Sequence, residues 1–214
     1  LYALVNKILA SSPVQSSEIH YLFQKTALEV CEGQSLDMAF ENQTDVSQSN
    51  YLEMIKLKTA VLVGCALKIG AIVGGASKKN AQLLYDFGLN LGIAFQIHDD
   101  ILDVFPTKEV FGKQIGGDIL EKKKTILLID LLEKSTDDEK LSLFKIIDSK
   151  DFSDSLKVDK VKEMYKINNV LEIAEKKKTF YFKKAIHKIQ ELEIDLIRKN
   201  QLNEFAKNLM NRMY

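Results

Sequence analysis

The sequence predicts an all-α protein, on two observations: helical periodicity along most of the chain and a scarcity of proline. Apolar residues recur at intervals of three and four over long stretches, which is the pattern of amphipathic helices. Only 2 prolines stand among 214 residues, and proline is the residue that most often interrupts a helix. Alternation with a period of two, the mark of a half-buried strand, is missing from the sequence. We therefore expect long helices in one continuous domain, residues 1–214.

The predicted helices follow one another with short connections. Ser16 or Ser17 can supply the N-cap of the first, because a serine oxygen accepts from the free N–H groups there. The second is apolar on almost every side between Ala60 and Ala71, so we expect it to be central and fully buried. The helices are predicted at about 16–40, 50–75, 78–104, 119–133, 137–147, 158–167, 169–192 and 201–213.

Charge and hydropathy exclude two classes of partner. Lys plus Arg and Asp plus Glu are 30 each, whereas a nucleic-acid-binding protein usually carries a basic excess, so we predict no nucleic-acid partner. The most apolar stretch lies between Lys58 and Lys68, well short of the roughly 20 residues that cross a bilayer, so we predict no transmembrane segment. Cys31 and Cys65 lie in apolar helical patterns. We expect both to be buried and reduced, which suits the cytosol.

Three aspartates crowd the end of the predicted helix 78–104: Asp99, Asp100 and Asp103. Residues three or four apart share a helix face, so these carboxylates repel one another, and the negative end of the helix dipole disfavours them further. A divalent cation would compensate, and Mg²⁺ is typically held by one or two carboxylates together with substrate phosphates. The spacing alone fits a solvated acidic helix end equally well.

Lysines and glycines follow the acidic cluster. Lys113 lies among glycines, which let the backbone approach a ligand closely. Lys123 and Lys124 come next, and Lys58 interrupts an apolar helix, where a lysine is costly unless it is paired or faces a polar cavity. Carboxylates for a metal and lysines for anionic charge together indicate a phosphate-binding site. A solvated helix face is the alternative for the lysine run.

In order and spacing these motifs resemble the trans-type polyprenyl diphosphate synthases. The family's second aspartate-rich motif is similar to Phe95-Gln96-x-x-Asp99-Asp100-x-x-Asp103. The segments that follow it are similar to Gly112-Lys113-x-x-Gly116-x-Asp118 and Lys123-x-Thr125. The family's central helices resemble Gly33-Gln34-x-Leu36-Asp37 and Tyr51-x-x-Met54-Ile55-x-x-Lys58-Thr59-Ala60. The resemblance spans essentially the whole chain and implies an isoprenoid-synthase-like bundle of long helices around a deep central cavity.

The resemblance implies an activity and its cofactor. The reaction is head-to-tail prenyl transfer, in which isopentenyl diphosphate attacks the carbocation left when an allylic diphosphate loses pyrophosphate. Mg²⁺ is the implied cofactor, since cations stabilise the charge that develops on a leaving group. A homodimer and a cytoplasmic location are also expected by resemblance.

The resemblance assigns roles to individual side chains. The implied metal ligands are Asp99 and Asp103, with Asp100 supporting the ion directly or through water. The implied contacts to the allylic diphosphate are Lys58, Lys113 and Lys123. Thr59 and Gln96 are implied to place oxygens near the developing cation, and with Lys58 they form the implied catalytic set. Asp118 is expected to orient a lysine rather than to bind metal.

One departure from the family pattern raises alternatives. The family carries two aspartate-rich motifs and this sequence shows one, so we expect the first motif and the isopentenyl diphosphate contacts to precede Leu1. The 214 residues alone are then expected to be inactive, either as part of a longer natural protein, which we favour, or as a truncated subunit. A noncatalytic partner subunit would show decayed acidic or lysine positions. A terpene cyclase would lack the segment 112–118. Product length is not predicted.

Overall fold

The protein is described here by a computed structural model that covers residues 2–11, 17–43, 45–106 and 115–211. Within these ranges it is helical and contains no strand, which confirms the predicted all-α class. Its elements are α1 (Tyr2–Ser11), α2 (Ser17–Glu41), α3 (Gln48–Ile55), a π-helical turn (Lys56–Ala60), α4 (Val61–Val73), α5 (Lys78–Val104), α6 (Gly117–Leu120), α7 (Ile126–Lys134), α8 (Asp137–Asp148), α9 (Asp154–Ile167), α10 (Val170–Glu191) and α11 (Leu196–Met210).

Helix α5 is the central element. Its 27 residues extend over roughly 40 Å at the usual helical rise, and it packs against α4 along one side and α10 along another. Ser77 caps its first turn by accepting from the Asn80 N–H, as N-cap serines do. Its bounds confirm the predicted helix 78–104.

Two hydrophobic clusters divide α5 between them. One surrounds its C-terminal half and includes side chains of α3, α7 and α9, with the buried rings of Tyr51 and Tyr165 inside it. The other surrounds its N-terminal half and joins α10 and α11 through Phe87, Leu91 and Ile189. The polar cavity described below lies beside the first cluster.

Helices α3 and α4 run through the π-helical turn as one uninterrupted helix, residues 48–73, close to the predicted helix 50–75. Within it the Val61 N–H donates to the carbonyl of Lys56, five residues earlier, where an α-helix would reach back four. Such wide turns are rare, and many lie at functional sites. This one carries Lys58 and Thr59.

The expectation that the second predicted helix is fully buried is wrong for its α4 part. Its buried residues are Val61, Gly64 and Cys65, whereas Leu62 is 53% exposed and Val73 is 51% exposed. Helix α4 packs on α2 and α5 with one side, and no described residue covers the other. Helix α5 takes the central place.

Two smaller expectations also need correction. The predicted helix 119–133 is broken, since α6 ends at Leu120 and α7 begins after Thr125, whose hydroxyl accepts from the Leu128 N–H. Between them Lys122 has a φ of 56°, which an α-helix cannot contain. Cys31 is exposed although we expected it to be buried, while the burial of Cys65 is confirmed.

Of the described helices, none combines the length and apolar composition needed to cross a bilayer.

Candidate active site

A polar cavity of about 300 Å³ opens beside the C-terminal half of α5. Its walls come from α2, α3, the π-helical turn, α5 and the segment 118–125. The residues that line it are Asp37, Tyr51, Met54, Ile55, Lys58, Gln96, Asp99, Asp100, Asp118, Lys123, Lys124 and Thr125. Five of the eight predicted site residues are thus brought to one cavity: Lys58, Gln96, Asp99, Asp100 and Lys123.

The remaining three site residues differ in their placement. Thr59 stands next to the cavity and is joined to it through Gln96. Asp103 is not among the lining residues; its carboxylate accepts from the Asp118 N–H at 3.1 Å, and its carbonyl accepts from the Gly116 N–H at 2.8 Å. Asp103 therefore secures the turn that follows α5. Lys113 lies outside the described residues.

Lys58 is the cation that the π-helical turn presents to the cavity. Its Nζ lies 2.6 Å from Asp37 Oδ2, and both side chains are about a third exposed. The pair meets the condition that a lysine in an apolar helix be partnered or face a polar cavity. The sequence shows Asp37 only as part of a motif, because nothing in its spacing indicates that it contacts Lys58.

Asp100 is the most completely bonded carboxylate in the cavity wall. Its Oδ2 accepts from the Tyr51 hydroxyl at 2.7 Å and from the Ile126 N–H at 3.1 Å, and its Oδ1 accepts from Gln96 Nε2 at 3.2 Å. Burial raises the pKa of Asp100 to about 7, although these three donors oppose the rise. Asp100 thus links α3, α5 and the first turn of α7.

Asp99 has the opposite environment. It lines the cavity, and its carboxylate makes no hydrogen bond or ion pair with any residue that the structure describes. Within the part of the chain that the structure describes, both of its oxygens are therefore available to a ligand. Of the three aspartates in the motif, Asp99 is the one best placed to hold a cation.

Two carboxylates hold Lys123 in the cavity wall. Its Nζ lies 2.8 Å from Asp118 Oδ1 and 2.9 Å from Glu121 Oε2, and hydrogen bonds to these two groups raise its pKa. The contact with Asp118 is the one expected of a residue that orients a lysine. Burial, followed by the charge of Lys122, lowers the pKa of the neighbouring Lys124, which also lines the cavity.

The oxygen donors of the cavity suit a hard cation that is coordinated partly by the protein and partly by a bound anion. Among the described residues, no three His, Cys, Asp or Glu side chains come together as a cage for a metal ion. Mg²⁺ does not require one, since it usually keeps waters and takes one or two carboxylates together with phosphate oxygens. Asp99 fits that requirement. The assignment of Asp100 and Asp103 as ligands remains a prediction.

Tyr51 is a site residue that the sequence shows only as part of a motif, without a role of its own. Its ring is buried and its hydroxyl donates to Asp100, which no periodicity reveals, because a tyrosine on an apolar helix face ordinarily reads as core. Burial and the charge of Asp100 raise its pKa well above the usual value. Tyr51 therefore stays a hydrogen-bond donor.

The fold and the cavity define a helical protein with carboxylates and lysines around one polar cavity. The chain belongs to the Polyprenyl synthetase family, whose sequence profile matches residues 1–167. Among its relatives is the geranylgeranyl diphosphate synthase of Methanosarcina mazei, which is 43% identical over 147 residues, 67% of this chain and 44% of that protein. The enzyme of the same description from Sulfolobus acidocaldarius is 38% identical over 173 residues, 80% of this chain and 51% of that protein.

Solved structures agree with this placement. A geranylgeranyl pyrophosphate synthase crystal structure matches with a TM-score of 0.85 at 40% identity, over 96% of this chain and 64% of that one. The geranylgeranyl pyrophosphate synthetase of Geoglobus acetivorans matches with a TM-score of 0.80 at 30% identity, over 99% and 64%. The chain thus spans about half the length of its curated relatives, and about two thirds of these structures.

Proposed function

We propose that the protein to which this chain belongs is a prenyltransferase that condenses isopentenyl diphosphate with an allylic diphosphate into a longer polyprenyl diphosphate. The observation that supports this most strongly is the cavity that Asp99 lines together with Lys58 and Lys123, where the Asp99 carboxylate has no hydrogen-bond or ion-pair partner among the described residues. Relatives described as geranylgeranyl and geranylfarnesyl diphosphate synthases support isoprenoid diphosphates as the substrate class. Because the chain covers about half of those proteins, the activity is assigned to the whole protein.

The lysines bind the diphosphate of the allylic substrate and stabilise its departure. When the carbon–oxygen bond breaks, negative charge grows on the leaving pyrophosphate, and cations fixed beforehand stabilise that charge without reorganising. Lys58 is fixed by Asp37, and Lys123 by Asp118 and Glu121. We assign Lys113 the same contact by resemblance to the family.

Asp99 would hold the divalent cation, which we propose to be Mg²⁺ because every candidate donor is an oxygen. The bound ion supplies neutralising charge to the pyrophosphate. Asp100 acts by fixing this turn of α5 through Tyr51 and the start of α7. Asp103 fixes the segment that leads to Asp118.

Thr59 and Gln96 present oxygen atoms toward the reacting carbons. The Thr59 hydroxyl donates to Gln96 Oε1 at 3.2 Å, and Gln96 Nε2 donates to Asp100. With their donors engaged in this way, both residues keep oxygen lone pairs for the positive charge that develops on the allylic carbon. An oxygen dipole held in place stabilises such a charge in a site from which water is excluded.

A homodimer and a cytoplasmic location complete the proposal, both by resemblance to the family. Exposed apolar side chains along α2, Tyr21, Leu28 and Met38, support the dimer, because removing apolar surface from water favours association. A noncatalytic subunit is disfavoured, since the acidic and lysine positions persist, and Lys58 and Lys123 each pair with a carboxylate.

Elongation by the whole protein tests the proposal. The protein is incubated with radiolabelled isopentenyl diphosphate, an allylic primer and Mg²⁺, and the prenyl products are separated by length. We expect elongation, and we expect Asp99→Asn to lower kcat by about 10²–10³-fold, within the range that loss of a key electrostatic group produces. Asp86→Asn is the matched control, because Asp86 lies on the same helix but outside the cavity. Absence of elongation by the unsubstituted protein, or full activity of Asp99→Asn, would refute the proposal.

A further inference from the structure

The π-helical turn that carries Lys58 and Thr59 is held between two glycines on different helices. A Cβ atom on Gly33 of α2 would lie 2.7 Å from Lys58 Cα, and one on Gly92 of α5 would lie 2.6 Å from Ala60 Cα. Real Cβ atoms essentially never approach other atoms below 3.0 Å. The backbone of the turn therefore lies so close to α2 on one side and to α5 on the other that only glycine fits at these two positions.

Each glycine is followed one turn later by a polar side chain that bonds to the same π-helical turn. Asp37, four residues after Gly33, pairs with Lys58. Gln96, four residues after Gly92, accepts from Thr59. Residues four apart lie on one face of a helix. Each neighbouring helix therefore offers, on the same face, a hydrogen-bonding partner and a glycine that leaves room for the turn. We call these two glycines, Gly33 and Gly92, the notches.

The geometry of the π-helical turn explains why notches are needed. Its bond from the Val61 N–H to the Lys56 carbonyl spans five residues, so the turn is wider than the α-helix on either side of it. Helices α2 and α5 both pack directly on this wider segment. A side chain at either notch would push the turn away from the Asp37 or Gln96 that orients its residues.

We infer that Gly33 and Gly92 are positioning residues for prenyl transfer: by admitting the π-helical turn between α2 and α5, they place the Lys58 ammonium and the Thr59 hydroxyl against the cavity. The inference rests on the proposed function for the reaction that it serves. The placement itself depends on the contacts alone.

The chain offers a matched control one helical turn further along the same helix pair. A Cβ atom on Gly88 of α5 would lie 2.8 Å from Gly64 Cα of α4. An alanine there disturbs α4–α5 packing as severely as one at Gly92, but it does not touch the π-helical turn. Gly88→Ala therefore measures the cost of crowding two helices without moving Lys58 or Thr59.

The test compares Gly33→Ala, Gly92→Ala and Gly88→Ala in the whole protein, at a temperature where thermal unfolding shows each variant to be folded. Steady-state kinetics give kcat and KM, and amide hydrogen exchange reports on residues 56–60. We expect kcat to fall about 10–100-fold in Gly33→Ala and Gly92→Ala, since a displacement of about 1 Å can cost 10²-fold. We expect faster exchange at 56–60 in these two variants. Gly88→Ala should stay within about twofold of the unsubstituted protein in kcat.

The outcomes separate the inference from the proposed function. If the unsubstituted protein does not elongate, the proposed function fails, and the exchange rates still show whether the glycines fix the π-helical turn. If it elongates and all three variants share one kcat, or one exchange rate at 56–60, the inference is wrong. If one notch variant does not fold, the other decides, because each glycine contacts one side of the turn. If neither folds while Gly88→Ala does, the glycines serve folding alone and the inference is overturned.

Discussion

The two halves of α5 differ in what they contact, although they belong to one helix. The N-terminal half, residues 78–91, packs Phe87 and Leu91 into a wholly apolar cluster with α10 and α11. The C-terminal half, residues 92–104, packs equally tightly on one side and presents Gln96, Asp99 and Asp100 to a polar cavity on another. The first half therefore serves stability alone, whereas the second combines stability with chemistry.

Asp99 and Asp100 repeat this contrast between neighbours. Three donors from α3, α5 and α7 saturate Asp100, which is 5% exposed. Asp99 faces the cavity and makes no hydrogen bond with the described part of the protein. A carboxylate whose oxygens accept hydrogen bonds from the protein stabilises the fold, whereas one without such bonds can bind a ligand. This distinction orders the expected effects of substitution.

The largest effect on stability is expected in the N-terminal half. Phe87→Ala should lower the free energy of unfolding by about 3–5 kcal/mol, because the ring is fully buried and its removal leaves a cavity. The kcat of the remaining folded protein should change less than twofold, since Phe87 does not line the active-site cavity. Urea denaturation and initial rates at low temperature measure the two quantities. A fall in kcat as large as that of Asp99→Asn would break the division between the halves.

A pH-dependent effect is expected from Asp100. Its pKa is about 7 in the folded protein, above the ordinary 3.8, so its contribution to stability is complete below pH ~4 and is lost as the pH rises through about 7. Between pH 5 and pH 8 the protein should lose about 2–3 kcal/mol of unfolding free energy from this group. Asp100→Asn cannot titrate there and should not show that loss.

Urea denaturation of both proteins at pH 5 and pH 8 checks this expectation. The other titrating groups are common to the two proteins, so the difference between their pH dependences isolates Asp100. Equal pH dependences would mean that the buried carboxylate is already ionised at pH 5. In that case the three hydrogen bonds to Asp100 would outweigh the effect of its burial.

The limits of α5 and part of the candidate site could be predicted from the sequence, because they depend on residues close together along the chain. Periodicity and capping set the limits of α5, and motif spacing brought Lys58, Asp99 and Lys123 into one predicted site, which the cavity joins. The break after Leu120 was missed because three consecutive lysines resemble a solvated helix face, whereas Lys122 takes a positive φ.

Contacts between distant residues could not be predicted from spacing. The Asp100 carboxylate is bonded by Tyr51, 49 residues earlier, and by the Ile126 N–H, 26 residues later. The π-helical turn depends on notches in α2 and α5 that only packing reveals. The exposed side of α4 was missed because an apolar sequence shows what can be buried, and the contacts of this chain decide what is buried.

The smallest effect, and the sharpest test of the C-terminal half, is expected at Thr59. Thr59→Val keeps the shape of the side chain and removes the hydroxyl that donates to Gln96 at 3.2 Å. We expect kcat to fall about tenfold, which corresponds to about 1.4 kcal/mol in the barrier, while KM and the melting temperature change little because the hydroxyl is only partly buried. Thr59→Ser retains the donor and should stay within about twofold. If Thr59→Val and Thr59→Ser give the same kcat, the Thr59 hydroxyl does not contribute to catalysis. The hydrogen bonds from Thr59 to Gln96 and from Gln96 to Asp100 would then stabilise the fold only, as the contacts of Phe87 do.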